Sequence, residues 1–193
     1  MTVAILVVAL ALIIALAASG MIGGPIGPQQ TSTPTMTEFR TGITLTSPAF
    51  ENQGRIPSNY TCDGEDVSPP LMWVSVLEKT RTYALILDDL DAPLGVFTHW
   101  VIFNIPATEN SLPEKVPPFG TLSNGAIQGR NGFGNVGYGG PCPPVGSHRY
   151  VFHLYALDIL LDLQPGITKQ DLLKAMEGHV LAEAELVAIY SKA

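Results

Sequence analysis

Two short segments hold the residues most able to do chemistry. One is Asp89-Leu90-Asp91-Ala92-Pro93, running into His99-Trp100; the other is Gly139-Gly140-Pro141-Cys142-Pro143-Pro144, running into His148-Arg149-Tyr150. Each is a turn-rich stretch beside a strand-like run. Each supplies acids, imidazoles or a phenol at spacing two, and side chains two apart on a strand share a face. Asp89 and Asp91 therefore act together if their strand continues that far, and so do His148 and Tyr150. Such a cluster at strand ends reads as a pocket for a small polar ligand.

An enzyme needs more than two acids and two imidazoles. Those groups could ligate a metal or perform acid–base hydrolysis. No G-x-S-x-G nucleophile pattern and no H-E-x-x-H helix accompanies them. The residues read as a binding site without catalytic, metal or cofactor assignments. The formal net charge of −7 over 193 residues, with no basic run, excludes a nucleic-acid surface.

The elements that must position these residues are mostly strands. Ile43 to Ser47 alternates before Pro48. Thr82 to Leu87 and Tyr150 to Leu157 are apolar runs bounded by loops. Phe97, His99, Val101, Phe103 and Ile105 read as one face of a further strand that Pro106 closes. Residues 51–70 and 107–145 are punctuated by Gly and Pro and read as long loops. Thr168 with Asp171 three residues on signals a helix start, with Leu172, Leu173 and Met176 as its stripe, and 185–190 reads as a last strand. The pattern predicts a mainly-β sandwich with one or two short C-terminal helices over 41–193.

The first 37 residues carry no charge. Residues 1–22 include an apolar run from Val3, about 30 Å as a helix, and read as a membrane anchor; a cleaved signal ending near Ala15-Leu16-Ala17 is the alternative. Residues 23–40 read as a flexible linker rich in Gly, Pro and Thr. The expected location is therefore extracytoplasmic, on the membrane or secreted. The two cysteines, Cys62 and Cys142, suit an oxidising compartment. As residues alone they allow a disulfide, two free thiols or, less readily, a metal site.

The ordered set of motifs is similar to that of the phosphatidylethanolamine-binding proteins, in the bacterial and archaeal Raf kinase inhibitor-like branch. It comprises Ser68-Pro69-Pro70-Leu71 with Trp73, the D-x-D-A-P segment, His99-Trp100 leading to Asn104-Ile105-Pro106, and Gly146-x-His148-Arg149-Tyr150-x-Phe152. The resemblance implies a Greek-key β-sandwich with a surface pocket for phosphate-like anions or phospholipid headgroups. Asp89, Asp91, His99, His148 and Tyr150 would line it, with Pro93 and Gly140, Pro141, Cys142, Pro143 and Pro144 at the rim. It implies binding rather than turnover, with inhibition of a serine protease or regulation of a kinase through surface loops, such as 109–135, as the alternative. Leu90 departs from the family, where proline is common between the acids; a backbone N–H is gained there. A Cys62–Cys142 disulfide is expected to fix the rim loop from outside the pocket.

Overall fold

The computed structural model describes residues 42–192. Among them, nine strands form two sheets. The smaller holds β1 (Ile43–Thr46), β3 (Leu71–Ser75) and β6 (Ser111–Leu112), in the order β1-β3-β6. The larger holds β2 (Gly54–Arg55), β4 (Thr82–Asp89), β5 (Phe97–Pro106), β7 (Ile127–Gln128), β8 (Ser147–Leu157) and β9 (Val180–Ser191), in the order β2-β9-β8-β4-β5-β7. One α-helix, α1 (Lys169–Met176), follows β8. The central β4 lies antiparallel between β8 and β5, so its ends meet the ends of both neighbours.

The mainly-β class is as expected, with one helix. The membrane helix is the correction. Among the described residues no helix is long and apolar enough to cross a membrane. The stretch 1–22 on which the sequence places it, and the linker 23–40, lie outside the described residues.

Two cores sandwich the large sheet. On one face Leu85, Leu87, Trp100, Ile102, Tyr150 and Phe152 pack with Ile43, Leu45, Leu71 and Trp73 of the small sheet. On the other, Ala84, Ile86, Val101 and Phe103 pack with Leu172 and Met176 of α1. Because β4 is buried on both faces, its apolar run shows no alternation. The helix begins where the cap chemistry predicts: Asp171 N–H donates to Thr168 Oγ1 at 3.2 Å and Thr168 N–H donates to Asp171 Oδ2 at 3.0 Å.

β5 breaks alternation twice, against the single face read from its sequence. Leu87 faces Trp100 and Asp88 faces Thr98, so His99 is an extra residue on the β5 side. Tyr83 faces Ile105 and Leu85 faces Ile102, so two β5 residues oppose Ala84. These are β-bulges, which turn the following side chains to the other face. Val101 and Phe103 consequently face α1, while Ile105 returns to the sandwich core.

The second bulge explains the Asn-Ile-Pro motif. Asn104 has φ of 55°, a left-handed backbone that asparagine tolerates better than most residues. Its amide donates to Leu161 O at 2.8 Å, and its carbonyl oxygen accepts from Leu161 N–H at 2.9 Å. Replacing Asn104 with Ala strains the backbone and orphans both buried groups. Asn104→Ala is expected to lower unfolding free energy by about 2–4 kcal/mol, measured by denaturant titration. An unchanged midpoint would contradict this role.

Candidate functional site

The ends of β4, β5 and β8 meet around a cavity of about 170 Å³ lined by Asp89, Ala92, Pro93, Phe97, His99, Phe133, Cys142, Pro144 and His148. Asp89 is the last residue of β4 and lies opposite Tyr150 in β8, which sets His148 diagonally next to it on the same face. The His148 Nδ1–H donates to Asp89 Oδ2 at 2.7 Å, and both side chains are nearly buried, at 7% and 6% exposure. The other oxygen, Asp89 Oδ1, accepts Asp91 N–H at 2.9 Å.

His99 reaches the cavity because of its bulge. In a regular strand, with Trp100 and Ile102 facing the sandwich core, His99 would share the helix-side face with Val101. Instead Thr98 takes that side, its hydroxyl donating to Asp88 Oδ1 at 2.8 Å, and Phe97 and His99 turn toward Asp89 and Tyr150. The His99 ring is edge-on to Phe97, Phe133 and Tyr150, at centroid distances of 5.1, 5.4 and 5.3 Å. Its Nδ1 lies 2.7 Å from Gly139 O. A carbonyl can only accept, so Nδ1 carries the proton and Nε2 is the free ring nitrogen. Burial among these rings pushes the His99 pKa down; the Gly139 carbonyl and the Asp89 charge oppose the shift.

Asp91 leaves the cavity, against the spacing-two reading. β4 ends at Asp89, so alternation does not carry on to Asp91. Its carboxylate turns to Arg149, accepting from Nε at 2.8 Å, Nη2 at 2.6 Å and the backbone N–H at 2.9 Å. Those side-chain and backbone hydrogen bonds hold the Asp91 carboxyl down at about 2. The N–H gained at Leu90 is used as well, donating to Arg149 O at 3.0 Å.

The rim loop is built by glycine and a crosslink. Cys62 and Cys142 form a disulfide with Cα atoms 5.4 Å apart, leaving no free thiol among the described residues. Cys142 lines the cavity, so the bond belongs to its wall rather than to its outside. Cys62 N–H donates to Pro141 O at 3.1 Å and Gly140 N–H to Asp66 Oδ1 at 2.6 Å. A Cβ on Gly140 would sit 2.6 Å from Tyr60 O, so only glycine permits this approach. Gly140, Pro141 and Pro143 thus shape the loop from behind, while Pro93, Cys142 and Pro144 touch the cavity. Tyr150 is fully buried beneath, its hydroxyl beside the Asp89 carboxylate and the Cys142 backbone but without a hydrogen bond of good geometry among the described residues. Burial first, and then the Asp89 charge, raise its pKa, keeping it a phenol.

Phe97 and Phe133 are walls that reading for polar chemistry passes over. Phe97 had a signal, two residues before His99. Phe133 depends on Asn131, which accepts from the N–H groups of Phe133 and Asn135 and donates to Gly137 O. No spacing rule reveals that loop.

Three outcomes test this arrangement. Thiol titration of unfolded, unreduced protein should find no free thiol, and replacing both cysteines with Ala should cost about 2–5 kcal/mol in unfolding free energy. Asp91→Asn should lower stability by up to about 1 kcal/mol at pH 7, because the pair is at the surface. The Asp91 contribution is fully present above the ordinary carboxyl value of 3.8 and is lost as pH falls toward 2. For His99 the unfolded imidazole takes up a proton that the buried ring resists, so its contribution is present above 6.5 and declines below it. His99→Gln should therefore lose less stability than the parent between about pH 7 and pH 5, read from denaturant midpoints.

Comparison with known proteins bears on the family and the fold. Residues 46–191 match the family model described as phosphatidylethanolamine-binding protein. The chain is 57% identical over 150 residues to the UPF0098 protein of Methanothermobacter thermautotrophicus, covering 78% of this chain and 99% of that one. It is 46% identical over 149 residues to a UPF0098 protein of Aquifex aeolicus, covering 76% and 86%. Among solved structures, a phosphatidylethanolamine-binding protein homolog from Chlamydia trachomatis superposes with a TM-score of 0.73 at 39% identity, covering 79% of this chain and 99% of the other. YbcL of E. coli, described as a new member of the mammalian PEBP family, gives 0.73 at 32% identity with the same coverage. From the two strand-end motifs to the sandwich that joins them, this chain belongs to the phosphatidylethanolamine-binding protein family.

Proposed function

We propose that the cavity at the ends of β4, β5 and β8 binds a phosphate monoester or a phospholipid headgroup, without turnover. One observation carries this reading: two imidazoles line the cavity with Nδ1 already held, His148 by Asp89 and His99 by Gly139 O, leaving each Nε2 for a ligand. With its Nδ1 held by Asp89, His148 meets a phosphate oxygen through Nε2, and a neutral His99 accepts from a ligand O–H or N–H.

Two carboxylates beside an anion site would repel the ligand by simple Coulomb reasoning. The geometry supports a resolution. Asp91 is paired with Arg149, and both Asp89 oxygens accept internal donors. A cavity of about 170 Å³ suits a headgroup rather than an acyl chain. Leu94, Val96 and Val145 are exposed on the segments that supply Ala92, Pro93 and Pro144, and Phe133 is half-exposed in the wall. Apolar side chains at a headgroup pocket favour the lipid as the source of the phosphate. The Cys62–Cys142 disulfide supports an oxidising, extracytoplasmic setting.

A second reading, docking of a protease or kinase, is favoured by one feature. A groove of about 410 Å³ lies along residues 109–124, lined by Leu112, Val116, Pro117, Phe119 and Leu122, with Phe119 exposed. It holds no imidazole and no cation.

Titration with phenyl phosphate, followed by the imidazole resonances of His99 and His148, tests the pocket. Saturable shifts are expected, and His148→Ala should weaken binding by about 1.5–3 kcal/mol, the range for a hydrogen bond to a charged group. Co-sedimentation with phosphatidylethanolamine vesicles, competed by phenyl phosphate, separates lipid from free phosphate. Absence of shifts at millimolar ligand would overturn the reading.

A further inference from the structure

A second cluster of ligating side chains lies away from the cavity. Along β8, His148, Tyr150 and Phe152 face the cavity and core, so His153 projects from the opposite face of the sheet. His153 lies opposite Glu185 of β9 in register, and Glu183 is one pair further along the same face. The His153 Nδ1 is 3.2 Å from Glu183 Oε1 and 3.3 Å from Glu185 Oε1, and the three ligand atoms lie within 4.8 Å of one another. His153 is the most buried of the three, at 18% side-chain exposure, and Tyr155 stacks on its ring at a centroid distance of 6.3 Å.

The imidazole is shared between two carboxylates, with a hydrogen bond to Glu183 at 3.2 Å and Glu185 at 3.3 Å. Charge-assisted bonds of this type usually settle near about 2.7–2.9 Å, and an N–H shared between two oxygens makes longer, three-centre contacts. The other imidazole–carboxylate pairs among the described residues settle in that shorter range, with His148–Asp89 at 2.7 Å and His179–Asp158 at 2.9 Å. His153 instead stands almost equidistant from two carboxylates at longer range. Ligands about 2.0–2.2 Å from a tetrahedral zinc ion are separated from one another by about 3.3–3.5 Å, close to both spacings observed. Charge points the same way. Two carboxylates share one imidazole, Glu183 also meeting the Tyr155 hydroxyl, and among the described residues neither glutamate pairs with a lysine or arginine. The neighbouring acid on this face, Asp88, is already paired with Lys169.

We propose that His153, Glu183 and Glu185 bind one divalent transition-metal ion on the outer face of the β8–β9 ladder, with zinc the best match. Imidazole nitrogen selects against calcium and magnesium, which prefer oxygen ligands throughout. The exposed side of the cluster leaves a fourth position for water.

The test uses the full chain after dialysis against EDTA. Zinc titration by calorimetry should show an equivalent that moves the His153 resonances, and Co²⁺ at the same site should give the visible bands of a tetrahedral complex. His153→Ala and, separately, Glu185→Gln should each weaken that equivalent by at least the roughly 10–100-fold that loss of even an outer-shell partner costs. Phenyl phosphate binding in the cavity should be unchanged in both variants, which separates this proposal from the pocket reading. Zinc uptake unaltered by either variant would overturn it, as would His153 resonances that do not move at about a hundred micromolar zinc, the behaviour of a histidine bridging two glutamates and nothing more.

Discussion

The extra residue at His99 is the constraint on which the rest of the site depends. Strand geometry assigns Trp100 and Ile102 to the sandwich core, and strict alternation would send His99 to the helix. One inserted residue lets His99 and Trp100 face the same side, so a polar ring lining the cavity and a large core ring adjoin each other. A bulge disturbs the ladder, and the exposed edge of β5 must then be satisfied otherwise. The glycine-rich segment does this. Gly129 N–H donates to Val101 O, Gly132 N–H to Thr98 O and Gly139 N–H to His99 O. At Gly132 a Cβ would meet the Phe97 ring at 2.5 Å, so the close approach of loop to strand requires glycine there. The long loop is therefore a structural partner of the strand edge and the carrier of the carbonyl that fixes the His99 tautomer.

The same logic places three acids within four residues without leaving any of them uncompensated. Asp88 faces the helix, where it meets Thr98 and Lys169 at 2.8 and 2.5 Å. Asp89 faces the cavity and meets His148. Asp91 lies beyond the strand and meets Arg149. A buried carboxylate without a donor would shift toward its neutral form. Here each has its own partner on its own side. Leu90 sits between two of them with its N–H bonded to Arg149 O, a tie between the β4 end and β8 that a proline there could not make. An anion at the proposed site is compatible with these acids because only one of them reaches the cavity.

How much of this was legible in the sequence follows from which rules are local. The runs 82–87 and 150–157 fall within β4 and β8, and the Thr168–Asp171 box starts α1, because burial period and cap chemistry are properties of neighbouring residues. Asp89, His99 and His148 line one cavity. Asp91 does not, since spacing two holds only while the strand lasts. β5 misleads for a related reason: Val101 and Phe103 are as apolar as a core face demands, and nothing local distinguishes a bulged strand buried on both sides from a straight one. β3 went unread in a chain segment dense with proline, and Phe133 depends on a loop held by one asparagine.

The disulfide joins local and long-range constraints. Cys142 is both a wall of the cavity and one end of a crosslink spanning 80 residues. Asp66, Tyr60 and Cys62 come from the segment between β2 and β3, and they contact Gly140, Tyr138 and Pro141 respectively. Each contact alone is a single hydrogen bond, worth about 1 kcal/mol net. A covalent bond at their centre restricts the unfolded chain and holds the three contacts in one register. Through Gly139, that register also fixes where the carbonyl meeting His99 lies. The position of one imidazole in the cavity thus depends on a bulge in β5 and on a crosslink to a distant loop, and the proposed headgroup site exists only where both are satisfied.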